Sequence, residues 1–427
     1  MLRGILIPLL LLSWLGTAQA ALRIEVTEGT TSAIPIAVIP FANGGSEAET
    51  DIASVVQTDL GSTGLFKLLS RDKMLAKPSA RSEVNYKNWR TASVDYLVVG
   101  KVTPAAEGYS VRFELLDVYA PERVLASFEI DAPRGSLRRA GHMIANRVYE
   151  ALTGHPGVFT TRIAYVTLTK RGGAIQYELV IADQDGFNPQ VIARSPEPIM
   201  SPSWSPDGHN LAYVAFDIDR GLAILQVQDV STGRVQAVSA REGINGAPAW
   251  SPDGRYLSMT LSYLGNPDVF IYDTKTRNLR QLTRNPAIDT EASWAPDGQS
   301  LVFTSDRGGG AQIYQVPARG GTAQRLTFEG RNNQRAVFSP DGKSIAMVQG
   351  GKGYRIAIMD LKTKNLRILT NGPLDESPSF APNGQALIYT RSGRGGAELA
   401  TISLDGRIKT RLTQRGEVRE PSWSPMQ

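Results

Sequence analysis

Histidines and paired aspartates are the side chains in this sequence whose type and spacing could do chemistry. The chain has three histidines and no cysteine. His142, His155 and His209 do not form a cluster in the sequence, since each lies in a different region. A metal-dependent lyase needs clustered ligands, so we interpret these histidines as solvated or core residues. The G-x-S-x-G motif of a serine hydrolase does not occur either, which disfavours peptidase chemistry.

The segment DQDG at residues 183–186 resembles the start of a calcium-binding loop. Such a loop needs further oxygen ligands after its glycine, but Phe187 follows Gly186 directly. We therefore interpret this segment as a turn between strands. The sequence predicts no metal site, no cofactor and no catalytic residue, which favours binding over catalysis.

Six copies of a short aromatic phrase recur every 42 to 46 residues. Each copy has an aromatic residue, Ser or Ala, and Pro, and most continue with Asp-Gly or Asn-Gly. The copies are PSWSPDG at Trp204, PAWSPDG at Trp250, ASWAPDG at Trp294, AVFSPDG at Phe338, PSFAPNG at Phe380 and PSWSPMQ at Trp423. A fixed period of this length with several short strands per unit is typical of a β-propeller.

Short apolar or alternating runs bounded by Gly, Pro, Asn and Asp follow each of the first five phrases. With the aromatic run as the first strand they predict four strands per repeat, named A to D here. The tryptophans of the phrase are expected to pack between blades. The first repeat lacks its aromatic phrase, whereas the last phrase has no strands after it. The C-terminal strand should therefore become strand A of the first blade and close the ring, which removes two exposed sheet edges.

The positions three and four residues before each aromatic should come together at one mouth of the channel, in the loops from strand D to the next strand A. A rim that combines charge with small apolar surface suits a protein loop or peptide, although these residues could also only satisfy the loop backbone. The residues predicted to bind a partner there are Met200, Ser201, Gly246, Ala247, Thr290, Glu291, Gln334, Arg335, Glu376, Ser377, Arg419 and Glu420.

The sequence before the repeats predicts three further parts. Residues 1–20 read as a secretory signal, with a basic start, an apolar run and an Ala-Gln-Ala cleavage site, and the run is too short for a membrane anchor. Residues 34–155 predict an α/β domain, with strands at 34–41 and 96–100, a hairpin over 111–128 and helices at 47–61 and 136–152. Ser136 is a plausible N-cap and Gly154 a stop signal. The propeller then occupies residues 160–427.

Residues 21–33 predict an N-terminal arm. Its apolar and polar side chains alternate, as in a strand, and the following Gly29 to Ser32 make it detachable. The residues expected to bind a partner are Leu22, Arg23, Ile24, Glu25 and Val26. The alternative is an ordinary edge strand of the α/β domain.

The repeats, the signal and the order of domains together resemble the TolB family, the periplasmic propeller proteins of the Tol–Pal system in Gram-negative envelopes. The most specific stretches are LTGHPGVFTTRIAYV at the domain junction, RSPEPIMSPSWSPDG, TEASWAPDG and LDESPSFAPNG. One departure is Ile244, where the family often has a polar side chain before NGAPA.

The resemblance implies a two-domain adaptor without enzymatic activity, an N-terminal α/β domain followed by a six-bladed β-propeller. Such proteins bind the lipoprotein Pal at the propeller channel and TolA through the mature N-terminus. They support outer-membrane invagination at division, outer-membrane integrity and protein transport. The expected protein is a periplasmic monomer that associates with the outer membrane indirectly, through Pal.

Two other readings remain open: a secreted propeller enzyme related to peptidases or lyases, and an unrelated scaffold propeller. Nucleic-acid binding is not expected, because the formal net charge is only +5 and no stripe of Lys and Arg alternates with aromatic residues.

Overall fold

The computed structural model describes residues 23–28, 32–44, 50–413 and 416–426. The predicted signal at residues 1–20 and Leu22 lie outside these residues. Within the described part of the chain, no helix is both long and apolar enough to cross a membrane.

The first part of the chain forms an α/β unit around one mixed sheet. The elements in this part of the chain are β1 (Arg23–Glu28), which precedes the unit, and then β2 (Ile34–Val38), β3 (Ala42–Asn43), α1 (Ile52–Ser62), β4 (Phe66–Leu68), α2 (Tyr86–Thr91), β5 (Tyr96–Ala105), β6 (Gly108–Asp117), β7 (Val124–Pro133) and α3 (Leu137–Thr153). Two short 3₁₀ turns lie at Arg71–Lys73 and Arg81–Glu83. The sheet order is β4-β2-β5-β6-β7, with β3 beside β5. The first element, β1, belongs to a different sheet.

Local sequence explains where the two long helices begin and end. Helix α3 buries Leu137, Ile144 and Val148 at helical spacing against the sheet. It ends at Gly154, whose φ of +75° glycine adopts readily. Helix α1 begins at Ile52, and the side chain of Asp51 accepts a hydrogen bond from Ser54 N at 3.1 Å. The predicted helix started at residue 47, and residues 47–49 lie outside the described ones.

The rest of the described chain forms six four-stranded antiparallel units arranged as blades. Blade 1 contains β8 (Arg162–Arg171), β9 (Ala174–Asp183) and β10 (Gln190–Ser195); blade 2 contains β11 (Ile199–Trp204), β12 (Asn210–Asp217), β13 (Leu222–Asp229) and β14 (Val235–Ser239); blade 3 contains β15 (Asn245–Trp250), β16 (Tyr256–Leu261), β17 (Asp268–Asp273) and β18 (Leu279–Gln281). Blade 4 contains β19 (Asp289–Trp294), β20 (Ser300–Ser305), β21 (Gln312–Pro317) and β22 (Gln324–Arg325); blade 5 contains β23 (Asn332–Phe338), β24 (Ser344–Gly350), β25 (Tyr354–Asp360) and β26 (Leu366–Ile368); blade 6 contains β27 (Leu374–Phe380), β28 (Ala386–Gly393), β29 (Gly396–Ser403) and β30 (Lys409–Thr413).

The C-terminal strand β31 (Glu417–Trp423) completes blade 1. It pairs with β8, and the sheet order is β10-β9-β8-β31. Ser424 N donates to Arg162 O at 2.8 Å, and Arg162 N donates to Ser424 Oγ at 2.9 Å. The expected closure of the first blade by the end of the chain is therefore confirmed.

The repeated phrase has a structural reason in each of its parts. In blade 3, the Ser251 hydroxyl donates to Asp253 Oδ1 at 2.5 Å and accepts from Tyr256 N at 2.8 Å. Gly254 takes a φ of +69°, which completes the tight turn to strand B. Indole N–H groups bridge neighbouring blades, as from Trp250 Nε1 to Ser203 O at 3.2 Å. The expected packing of tryptophans between blades is confirmed.

Candidate partner-binding site at the propeller channel

All six A strands carry a β-bulge just before their aromatic residue. The register shifts lie between Met200/Ser203, Gly246/Ala249, Thr290/Ser293, Gln334/Val337, Glu376/Ser379 and Arg419/Ser422. A bulge bends the strand and re-aims the side chains beside it. The twelve predicted rim residues therefore lie inside strand A, so their placement in the loops between strands D and A was wrong. Sequence patterns did not reveal the bulge, because most residue types can occupy it.

The residue three positions before each aromatic adopts a left-handed backbone conformation. The φ values are +53° for Ser201, +47° for Ala247, +55° for Glu291, +54° for Arg335, +53° for Ser377 and +51° for Glu420. A non-glycine residue in this region costs about 1–2 kcal/mol, so its occurrence in every blade requires a compensating contact. We call these six residues the channel ring. All six line a central cavity of 420 Å³.

Hydrogen bonds to side chains of the preceding blade stabilise this backbone at several ring positions. Arg335 N donates to Glu291 Oε2 and to Thr304 Oγ1, each at 3.1 Å. Glu420 N donates to Thr390 Oγ1 at 2.9 Å, and Ser201 N donates to the Glu420 carboxylate. The two ring glutamates thus join neighbouring blades. Part of their role is to satisfy the backbone, the alternative that the sequence left open.

Arg335 is the charged centre of the ring. Its guanidinium lies 3.2 Å from Glu291 Oε1 and 3.9 Å from Glu420 Oε1. It also donates to Ser377 Oγ at 2.8 Å. Each of the three charged side chains is about one quarter exposed, between 24% and 29%. These groups are already oriented by one another, yet water and a partner can still reach them.

The residues four positions before each aromatic play a different part. None of them lines the central cavity. The hydroxyls of Thr290 and Thr260 lie 3.1 Å apart, Arg419 pairs with Glu417 at 2.5 Å, and the Met200 side chain is 39% exposed. The structure thus separates the twelve predicted residues into the channel ring and a second set beside it.

Exposed apolar side chains surround the same end of the channel. Each strand A begins directly after the loop from strand D. The end of strand B lies beside this beginning: in blade 3, for example, Asn245 at the start of strand A pairs with Leu261 at the end of strand B. The D–A and B–C loops of these blades therefore share one face, which we call the channel face. Its large exposed apolar residues are Ile218, Ile244, Leu264, Ile288 and Phe328. Exposed apolar groups around a charged centre are typical of a protein-binding surface.

The N-terminal arm forms strand β1 on the propeller. It pairs antiparallel with β30, from Arg23 opposite Thr413 to Glu28 opposite Lys409. Blade 6 thereby gains a fifth strand at its outer edge. The alternative of an edge strand of the α/β domain is wrong, because the sheet of that domain does not contain β1.

The structure brings His142 and Asp185, which no sequence pattern connects, together with a third buried residue, Asp59. Asp59, His142 and Asp185 are buried and each presents a potential ligand atom, all within 4.8 Å of one another. However, His142 Nδ1 already lies 2.6 Å from Asp59 Oδ2, and Arg138 pairs with Asp185. Two cations thus already neutralise the carboxylates when His142 is protonated, which argues for an ion-pair network. His155 and His209 are exposed, and residues 183–186 form the expected turn.

Comparisons with known proteins show similarity to one family over nearly the whole chain. Residues 22–124 match the TolB amino-terminal domain, and residues 149–427 match the TolB beta propeller domain. The Tol-Pal system protein TolB of Nitrosococcus oceani is 50% identical, over 98% of this chain and 97% of its own length. The Tol-Pal system protein TolB of Thioalkalivibrio sulfidiphilus is also 50% identical, over 100% of this chain and 98% of its own length. The crystal structure of TolB from Acinetobacter baumannii has a TM-score of 0.87 at 39% identity, and covers 95% of this chain and 100% of that one.

Proposed function

This chain belongs to the TolB family of Tol-Pal system proteins, and from that premise we propose that it is a periplasmic adaptor that binds Pal and TolA. The family is not enzymatic, and the propeller is a binding protein. In the proposal, Pal enters the propeller channel and TolA takes up the N-terminal arm. The protein would then support outer-membrane invagination at division, outer-membrane integrity and protein transport.

The channel ring is the observation that carries the Pal-binding proposal. Its backbone is held in a left-handed conformation in all six blades, and Arg335 is fixed by Glu291, Ser377 and Glu420. Donors and acceptors that are oriented before binding lose little conformational entropy when a partner arrives. The exposed apolar residues of the channel face supply further area for a protein loop.

The arm supports the TolA-binding proposal. Its pairing with β30 uses backbone groups at the edge of blade 6, and such pairing is easily exchanged for pairing with another chain. We propose that β1 leaves this edge and adds to TolA as an extra strand.

The remaining parts of the proposal concern location and assembly. A signal at residues 1–20 would export the chain, and cleavage after Ala20 would free the arm. The sequence has no cysteine to carry a lipid thioether, so association with the outer membrane would be indirect, through Pal. We propose a monomer.

Binding of purified Pal to variants of two channel-ring residues and of Thr290 beside the ring, measured by calorimetry, tests the proposal. Glu291→Ala, Thr290→Ala and Arg335→Ala are the test variants. Breaking a charge pair at an interface costs about 2–5 kcal/mol, and the partial exposure of this pair favours the lower value, about a 30-fold loss of affinity for Arg335→Ala. Arg255→Ala is a matched control, because Arg255 pairs with Asp273 away from the ring, at 3.0 Å. Unchanged Pal binding in all three test variants would exclude the channel ring as the site.

A further inference from the structure

A cluster of charged side chains lies where the two domains meet. We define the interface cluster as Asp59, Arg138 and His142 of the α/β domain together with Gln184 and Asp185 of blade 1. Asp59 is 0% exposed, His142 4% and Asp185 7%. His142 Nδ1 lies 2.6 Å from Asp59 Oδ2, Gln184 Nε2 donates to Asp59 Oδ1 at 3.5 Å, and Arg138 pairs with Asp185.

The cluster is part of the surface by which the domains dock. The Arg138 guanidinium also lies over the Phe187 ring, 3.9 Å from its centroid. Nearby, Asn383 Nδ2 donates to Pro156 O at 2.9 Å across the junction. Changes in the charge of the cluster therefore act directly on docking.

The charge balance of the cluster depends on one proton. With His142 protonated, two carboxylates face two cations. When that proton is lost, Asp59 and Asp185 face each other with Arg138 as the remaining cation of the cluster. Among the described residues, His142 Nε2 has no hydrogen-bond partner, so Asp59 is the side chain that holds the proton of the ring. Buried charges interact strongly because little water screens them.

Docking brings additional charged groups close to the Asp59–His142 pair, and their net effect is to favour protonation of the pair. Arg138 and Arg139 lie on α3 with His142 and stay beside it whether or not the domains are docked. The charged groups that arrive with the propeller are Asp183, Asp185 and, next to Asp183, Arg162. The nearest of them to the pair are carboxylates, which favour a proton on the pair.

We propose that the interface cluster is a proton-dependent latch, in which the α/β domain docks tightly on the propeller while Asp59 and His142 share a proton and loosens when that proton is lost. The proposal rests on the domain interface and does not depend on the proposed partners Pal and TolA.

The expected direction of the pKa shifts agrees with the geometry. Burial raises the pKa of Asp59 to about 6. Burial opposes a charge on His142, but the hydrogen bond and charge of Asp59 and the charge of Asp185 together raise the pKa of His142 above its ordinary value. A group whose pKa is higher in the docked state than in the undocked one stabilises the docked state below its undocked pKa, and here the charge of Asp185, which arrives with the propeller, supplies that difference. This stabilisation is lost as the pH rises through the raised value. Docking should therefore weaken as the pH rises through neutrality.

Distance measurement between the domains tests the latch. Because the natural sequence has no cysteine, Leu75→Cys and Ile218→Cys provide two unique label sites, at side chains that are 58% and 64% exposed. Pulsed electron spin resonance would give the distribution of label distances from about pH 6 to about pH 9. We expect a second, longer distance to appear as the pH rises. The ratio of its population to that of the shorter distance should increase about tenfold for each unit by which docking shifts the pKa of the pair. A distribution that does not change with pH would overturn the proposal.

Two variants separate the latch from general effects of pH. Asp185→Asn removes the carboxylate that arrives with the propeller, keeps an oxygen for Phe187 N, and should flatten the pH response. The double variant Asp59→Asn/His142→Gln removes both titrating groups of the pair and should abolish it. The control variants His155→Gln and His209→Gln, both at exposed sites, should respond like the natural chain. A full pH response in Asp185→Asn would overturn the proposal.

The titration of His142 itself provides a measurement that needs no spin label. In the double variant His155→Gln/His209→Gln, His142 is the single imidazole of the chain, so its NMR signal titrates alone. We expect the pKa of His142 to fall when Asp185→Asn is added. An unchanged pKa would contradict the latch.

Discussion

Six non-glycine residues with positive φ at the same position of a repeat indicate that every blade needs this backbone shape. Ser, Ala, Glu and Arg all occupy the position, so the side chain does not cause the conformation. We attribute the conformation to the backbone amide at the bulge. In Arg335, Glu420 and Ser201 this amide donates a hydrogen bond to a side chain of another blade. At these three positions the strain of the channel ring is thus offset by hydrogen bonds that hold neighbouring blades together.

Substitutions at Ala247 test this account, because its side chain carries no polar group. Ala247→Gly relieves the left-handed strain but increases the entropy of the unfolded chain, so we expect the free energy of unfolding to change by no more than about 0.5 kcal/mol. Ala247→Val places a β-branched residue at a φ of +47° and should cost on the order of 1–3 kcal/mol. Urea unfolding would measure both.

A matched control for Ala247→Val is Ala237→Val. Ala237 is exposed in strand β14 and has no positive φ, so valine should be tolerated there. If both valine variants unfolded at the same urea concentration, the strain at Ala247 would be negligible.

Whole elements were more predictable than their fine geometry. The aromatic phrase revealed six blades and the closure of the ring, because its Ser-Pro-Asp-Gly turn and its tryptophan are local features of each repeat. Helix α3 was predicted within a residue at either end, since its apolar spacing and Gly154 are local signals too. Helix α2 and strand β4 were missed because they are short and lack a periodic pattern. The bulge in strand A was missed as well, since it is visible only in the register between strands.

Ring closure predicts a severe effect of truncation. Deletion of residues 421–427 removes Trp423, whose Nε1 donates to Thr161 Oγ1 at 2.8 Å, and exposes the edge of β8. Trp423 is half-buried, and loss of a large packed side chain costs on the order of 3 kcal/mol, so the melting temperature should fall by at least about 6 °C. Calorimetry and light scattering would report melting and aggregation.

Deletion of residues 426–427 alone is the control for this truncation, because it leaves Trp423, Ser424 and Pro425 in place. It should melt like the full chain. If the longer deletion also melted like the full chain and stayed soluble, the ring would have to close by other contacts.

We predict that removal of the N-terminal arm abolishes binding of one partner and leaves binding of the other nearly unchanged. Deletion of residues 21–32 should abolish TolA binding, because it removes the strand that would pair with TolA, while Pal affinity should stay within a few-fold. The single substitution Val26→Pro removes one backbone donor from β1 and should weaken TolA binding in the same direction. Calorimetry with each partner would measure both effects, and TolA binding by the deletion variant would contradict the arm as its site.

At the scale of the whole molecule, the informative contacts join residues that are remote in sequence. Asp59 and His142 are 83 residues apart, and Asp59 and Gln184 are 125 residues apart. No local pattern predicts such contacts, so the sequence placed His142 and Asp185 in separate and unremarkable settings. The position of β1 on blade 6 was unpredictable for the same reason, since an alternating strand can pair with any free edge.

The last prediction concerns coupling between the channel and the arm. The proposed Pal site lies in the channel, whereas β1 pairs at the outer edge of blade 6, so the two partners would occupy distinct sites. If occupation of the channel changes how firmly β1 holds to β30, Pal should change the TolA affinity by a factor of about 5–150. Linkage then requires TolA to change the Pal affinity by the same factor. Calorimetric titration of each partner in the presence of a saturating amount of the other would measure both factors.

Two affinities that are each independent of the other partner would show that channel and arm act separately, and unequal factors would mean that the partners also bind each other.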